Sequence, residues 1–242
     1  MFKTRLLSGI VLVIILIATV GTGGGLLFGF LALISLIGLS ELYKVVDVQN
    51  KILGLTGYLG AVVYYGILYT GQMQYVTLLT IAFLVVLMAV YVFSFPTFKA
   101  EQVMTVFFGV FYVAVMLSYV YQTRMLEDGA VAVWLIFLSS WGCDTCAYCA
   151  GMLLGKHRLA PVLSPKKSIE GAVGGVVGSA LLGCIYAYFF GAKMDEVSNP
   201  MVACAVACAI AAVISQIGDL AASAIKRNHN VKDYGNLIPG HG

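Results

Sequence analysis

Two long stretches of this chain carry no charged side chain: Leu6 to Ser40, and Ile52 to Phe98. A helix rises about 1.5 Å per residue and the hydrocarbon core of a bilayer is about 30 Å thick, so roughly 20 residues cross once. Each run is too long for one crossing and is expected to hold two. The breaks are legible at Gly21-Thr22-Gly23-Gly24-Gly25 and at Thr70-Gly71-Gln72-Met73-Gln74, because glycine and polar amides suit an interface better than a lipid-facing helix. Further spans are expected at about 101–120, 128–150, 171–190 and 201–225. The chain therefore reads as an all-α polytopic membrane protein of about eight transmembrane helices. About five of them fall in residues 1–127, and 128–242 forms a C-terminal region with cytoplasmic loops. A hydrophobic fraction of 61% and a mean hydropathy of +0.96 exclude an ordinary soluble globule.

The distribution of charge orients these spans. Cytoplasmic loops of membrane proteins carry the excess of Lys and Arg. With eight crossings and the N-terminus inside, only Arg124 and Lys193 of the 14 Lys and Arg fall on the outer side. The start, MFKTRLLSGIVLVIILIATV, has the basic head and apolar run of a signal peptide but no small-x-small cleavage site where one belongs, so it is read as a retained helix. Cys143, Cys146 and Cys149 form a CxxCxxC run. With no histidine or fourth ligand nearby in an apolar helix, they read as small packing residues, like Cys184, Cys204 and Cys208. The GTGGG turn is not preceded by a strand and falls on the outer face, so it is not read as a nucleotide loop.

Ionisable groups inside a span are costly and are functional candidates by default. Asp144, in SSWGCDTCAYCAG, lies about 15 residues or ~22 Å into the sixth span, and Asp219, in ISQIGDLAASAIKRN, about 18 residues or ~27 Å into the eighth. Both spans run inward, so the two carboxylates are expected at similar depth near the cytoplasmic surface. Ser140, Asp144 and Tyr148 share one helical face; Ser215, Asp219, Ser223 and Arg227 share another, flanked by Gln216 and Lys226. The plainer alternative is that Asp219 only pairs with Lys226 or an interfacial arginine. Glu41, at the inner end of the second span, is by default an interfacial acid, though it could approach the site.

Between the sixth and seventh spans lies AYCAGMLLGKHRLAPVLSPKKSIEGAVGG, where Lys156, His157, Arg158, Lys166 and Lys167 gather. This could be a loop that only fixes orientation. However, Ser168-Ile169-Glu170 reads as the first turn of the seventh helix, and a helix N-terminus offers free N–H groups and partial positive charge to a phosphate. Lys166, Lys167 and Ser168 would surround that phosphate. Gly151-xxx-Gly155 and Gly171-xxx-Gly175 would let helix backbones approach closely. The C-terminal KRNHNVKDYGNLIPGHG repeats the theme with Lys226, Arg227, His229, Lys232, Asp233 and His241. The two histidines are not spaced as a zinc pair, and phosphate contact or hydrogen bonding is the better reading for them.

CDTCAYCAGMLLGKHRLAPVLSPKKSIEG followed by QIGDLAASAIKRNHNVKDYGNLIPGHG resembles the phosphatidate cytidylyltransferases, or CDP-diacylglycerol synthases. The resemblance covers about residues 139–242; the N-terminal half matches only as generic hydrophobic helices. The family's S-x-x-K-R-x4-K-D-x-G-x2-[LIF]-P-G-H-G-G pattern is occupied by Ser223, Lys226, Arg227, Lys232, Asp233, Gly235, Pro239, Gly240, His241 and Gly242. The chain stops there, before the second glycine and the acidic D-R-x-D element, and is expected to be truncated.

The resemblance implies transfer of CMP from CTP to phosphatidic acid, giving CDP-diacylglycerol and pyrophosphate, in phospholipid biosynthesis. It implies a metal site formed by Asp219 with acids of the closing element. On this reading Asp219 is the principal ligand of Mg²⁺, with Asp144 as second ligand or support and a second cation left open. Ser223 would orient phosphate or metal-bound water. Lys166, Lys167, Lys226 and Arg227 would bind phosphates, with Lys156 and Arg158 as weaker candidates. Lys232, Asp233 and His241 would shape the rim. The expected partners are CTP, phosphatidic acid, membrane lipid and a second copy in a homodimer, and no nucleic acid. The expected location is a bacterial cell membrane, with the N-terminus and active site cytoplasmic. A CTP-dependent lipid or polyprenol kinase would release CDP in place of pyrophosphate. A secondary transporter would place its acids near the midplane between repeated halves, and no internal repeat is legible.

Overall fold

The computed structural model describes residues 2–195, 197–231 and 233–235, with side chains from Ser8 onward. Its α-helices are α1 (Phe2–Thr22), α2 (Gly24–Val45), α3 (Ile52–Tyr69), α4 (Val76–Phe93), α5 (Ala100–Gly109), α6 (Met116–Arg124), α7 (Gly129–Ala132), α8 (Trp134–Leu154), α9 (Ile169–Phe190) and α10 (Pro200–Asn228). A π-helical turn, Val110–Val115, joins α5 to α6. Among the described residues seven helical segments are long and apolar enough to cross a membrane; α1 supplies a further apolar helix. The chain is an all-α polytopic membrane protein, as its charge-free runs require. Both breaks fall where glycine can adopt a positive φ that side chains resist. Gly23 and Gly24, at φ 67 and 54, end α1 and begin α2, and Gly71, at φ 69, follows α3.

The chain divides into two compact units, Met1–Gln122 with Val231–Gly242, and Thr123–Asn230. In the first, buried polar groups on apolar helices find partners on neighbouring helices, as a water-free interior demands. Ser35 and Tyr65 hydroxyls lie 2.8 Å apart, as do those of Tyr64 and Ser118, and the Tyr43 hydroxyl donates to the Val106 carbonyl at 3.1 Å.

The second unit is built on α8, α9 and α10. Gly142 faces Leu182, Cys143 faces Gly175 and Ala147 faces Gly171, so α8 and α9 run antiparallel. Gly183 faces Cys204 and Cys208, and the Gln216 amide donates to the Ala172 carbonyl at 3.0 Å, so α10 is antiparallel to α9 as well. It follows that α8 and α10 run the same way. Small residues allow this seam to close: a Cβ on Gly175 would lie 2.9 Å from Cys143 Sγ and 3.0 Å from the Cys143 carbonyl oxygen. Gly175→Val is therefore expected to destabilise the protein by about 1–3 kcal/mol through overpacking, read as a lower thermal-unfolding midpoint in detergent. An unchanged midpoint would mean that the seam has slack.

One local element departs from the sequence expectation. The connection between α8 and α9, expected to be a loop, is an antiparallel hairpin of β1 (Arg158–Ala160) and β2 (Ser164–Ser168), with Arg158 opposite Ser168 and Ala160 opposite Ser164. Runs this short, broken by Pro161 and Pro165, leave too little alternation to be read as strands.

Candidate active site

The position of the acidic residues follows from helix register. Ser140 on α8 and Ser215 on α10 share a hydrogen bond of 3.1 Å. Asp144 and Asp219 each lie four residues further along helices that run in the same direction, which is one turn on the same face. They therefore reach similar depth, and Asp144 lies within Coulombic range of both Asp219 and Lys167. The hairpin supplies the cation: Lys167 Nζ donates to Asp219 Oδ2 in an ion pair. Among the described residues, the ion-pair partner of Asp219 is thus Lys167.

The start of α9 completes the arrangement. Ser168 is its N-cap, with extended backbone, and its hydroxyl accepts from the Gly171 N–H at 3.1 Å. A cavity of about 420 Å³ opens here, lined by Asp144, Tyr148, Ser164, Lys166, Lys167, Ser168 and Gln216, with Ala147, Gly151, Met152, Leu159, Gly171 and Ala172 forming its apolar side. The lining thus combines two lysines and an acid with apolar side chains.

The structure gathers some of the sequence candidates and leaves others apart. Asp144, Lys166, Lys167 and Ser168 line the cavity, and Asp219 joins them through Lys167. Ser223 is half-buried one turn beyond Asp219, and Lys226 and Arg227 occupy the last turn of α10; none of the three lines the cavity. Lys156 and Arg158 are exposed at the base of the hairpin, and Asp233 is exposed beyond α10. Lys232 and His241 lie outside the described residues. Of the cysteines, Cys143, Cys204 and Cys208 are buried, Cys143 accepting from the Gln216 amide at 3.2 Å, whereas Cys149 is exposed.

Glu41 is more than an interfacial acid. In the first unit its carboxylate lies against Gly235, where a Cβ would overlap it. Among the described residues its Oε2 is a buried side-chain oxygen without a hydrogen-bond partner. Tyr234 packs in the same unit; burial, and then the nearby Tyr112 phenol, push its own phenol up to about 12, so it stays neutral at physiological pH. Nothing in the sequence named Gly235 as the neighbour of Glu41.

The model of the cytidylyltransferase family matches residues 3–242. The chain belongs to the cytidylyltransferase family. Relatives of this cytidylyltransferase include proteins named phosphatidate cytidylyltransferase from Staphylococcus haemolyticus, 31% identical over 247 residues, and Staphylococcus epidermidis, 32% identical over 247 residues. A third, from Staphylococcus aureus, is 31% identical over 245 residues, and each alignment covers 99% of this chain and 91% of the relative. The match extends through the N-terminal half, correcting the expectation that the likeness is confined to about residues 139–242. Apolar helices of similar composition hide positional similarity from a motif-based reading.

Proposed function

We propose that this cytidylyltransferase transfers CMP from CTP to phosphatidic acid at the cytoplasmic face of a bacterial cell membrane, releasing pyrophosphate and CDP-diacylglycerol. The observation that carries the reading is the convergence of Lys166, Lys167 and the Ser168-capped start of α9 on Asp144 and Asp219. In the reaction a phosphate oxygen of the lipid forms a bond to the α-phosphorus of CTP, while the bond from that phosphorus to the bridging oxygen breaks and its electrons leave with pyrophosphate. The nucleophile is already an anion, so the barrier is chiefly repulsion between like charges, and fixed positive groups lower it. Lys166 and Lys167 hold phosphate oxygens; the first N–H groups of α9, expected to be free for phosphate, are instead taken by the His157 carbonyl and the Ser168 hydroxyl. The apolar side of the cavity keeps the diacylglycerol body in the leaflet with its head at the rim.

The donor set fits Mg²⁺, which is held through one or two carboxylates together with substrate phosphates and water. Asp219 and Asp144 would hold it, and it would supply charge neutralisation between the two phosphate-bearing substrates. Ser223, Lys226 and Arg227, further along α10, would meet the part of the triphosphate that extends beyond the cavity. The near-exclusive placement of Lys and Arg on one side of the spans supports the cytoplasmic orientation.

Isotope placement tests the reaction. With the protein in phosphatidate-containing vesicles, α-labelled CTP is expected to transfer its label to lipid and γ-labelled CTP to yield labelled pyrophosphate. Label passing from the γ-position to lipid would replace cytidylyl transfer by a kinase reaction.

A further inference from the structure

The hairpin that carries Lys166 and Lys167 needs a fixed base if those ammonium groups are to meet a phosphate at a set distance. Glu170, in the first turn of α9, supplies that base. Its carboxylate accepts from the Lys156 N–H at 3.1 Å and from the His157 N–H at 3.2 Å, and its Oε1 lies 2.6 Å from His157 Nδ1. The Ile169 N–H donates back to the His157 carbonyl at 2.9 Å. Lys156 and His157 immediately precede β1, and Ile169 immediately follows β2, so these four contacts close the open end of the hairpin. Three of them terminate on one side chain. The carboxylate also sits where a helix N-terminus favours negative charge.

We infer that Glu170 is a positioning residue for substrate phosphate: it ties the segment leading into β1 to the start of α9 and thereby holds Lys166 and Lys167 over the cavity. Glu170 is not among the residues lining that cavity, which separates its role from that of the lysines it places. Two long, mobile lysine side chains on an untethered loop would have to be ordered by each arriving substrate, and ordering of that kind weakens binding. A closed hairpin has that ordering built in. In its kinetic consequence the inference rests on the cytidylyl-transfer reading; in its structural consequence it rests on the hydrogen bonds alone.

Trypsin provides a readout independent of activity, because Lys156, Arg158 and Lys166 are exposed and cleavage requires the hairpin to open locally. In detergent-solubilised full-length protein, Glu170→Ala is expected to speed cleavage between residues 156 and 167 at least about fivefold. It is expected to raise the KM for CTP or phosphatidate about tenfold, with a smaller fall in kcat, because the lysines that bind phosphate also lower the barrier. Glu170→Gln keeps an oxygen acceptor and is expected to restore most of both. If Glu170→Ala does not accumulate as folded protein, His157→Ala, which removes only the ring contact, is expected to at least double the cleavage rate. The proposal is overturned by unchanged cleavage in whichever of these two variants folds. It is equally overturned by a fall in kcat with the hairpin still protected, or by faster cleavage with both kinetic constants unchanged. If the unmodified protein transfers no CMP, the proposed reaction fails, while the proteolysis still decides whether Glu170 anchors the hairpin.

Discussion

Asp219→Asn is expected to lower CDP-diacylglycerol formation by about 10³-fold, the scale on which removing one preorganised electrostatic group acts, with the protein still folded and inserted. Asparagine keeps the shape of the side chain and removes the charge. The amide can neither pair with the Lys167 ammonium, as the carboxylate does, nor hold a divalent cation between two anionic substrates. Folding should tolerate the change, because the Asp219 side chain is 56% exposed and solvated ion pairs contribute little to stability. The measurement is turnover in phosphatidate vesicles beside the thermal-unfolding midpoint of the same preparation. Turnover near that of the unmodified protein would remove Asp219 from the mechanism, whereas a collapsed midpoint would make it a structural residue.

Lys167→Ala is expected to raise the KM for CTP or phosphatidate by about 10- to 100-fold. A hydrogen bond from a charged group contributes about 1.5–3 kcal/mol, and each 1.36 kcal/mol is a factor of ten. Lys167 is less exposed than Lys166 and touches Asp219, so Lys166→Ala should have the smaller effect. In the substrate-free protein Lys167 already neutralises part of the acidic pair. When substrate phosphates arrive it can exchange one oxyanion for another without passing through an unpaired state. Steady-state kinetics with each substrate varied in turn distinguish the two lysines. Unchanged constants for both variants would return SPKKSIEG to the role of a loop that only orients the helices.

Much of this arrangement was legible in the residue pattern, for identifiable reasons. Asp144 and Asp219 stand out because a carboxylate within an apolar run needs a cause, and the parity of their depth follows from counting along two spans of the same direction. The start of α9 was legible near Ser168-Ile169-Glu170, although Ser168 is the extended N-cap and not part of the first turn. The contact between Lys167 and Asp219 was not legible: the two are separated by α9 and most of α10, and many basic residues were equally eligible as partners. The hairpin was hidden by its brevity, and the function of Glu170 was hidden with it. An acid in the first turn of a helix has a sufficient local explanation in the helix dipole, so nothing in the sequence asked for the hydrogen bonds it accepts from Lys156 and His157.

The sequence by itself determined that the chain is an all-α polytopic membrane protein and where its helices break, and it singled out Asp144 and Asp219 as acids within apolar spans. These are properties of composition and spacing along one dimension, governed by the thickness of a bilayer and the rise of a helix. Tertiary structure decided which cation meets which acid, that a two-stranded hairpin and not a loop presents the lysines, and that Glu41 lies against Gly235. Such choices depend on helix register and on close contacts between small residues, where a shift of one residue along a helix turns a side chain by about 100°.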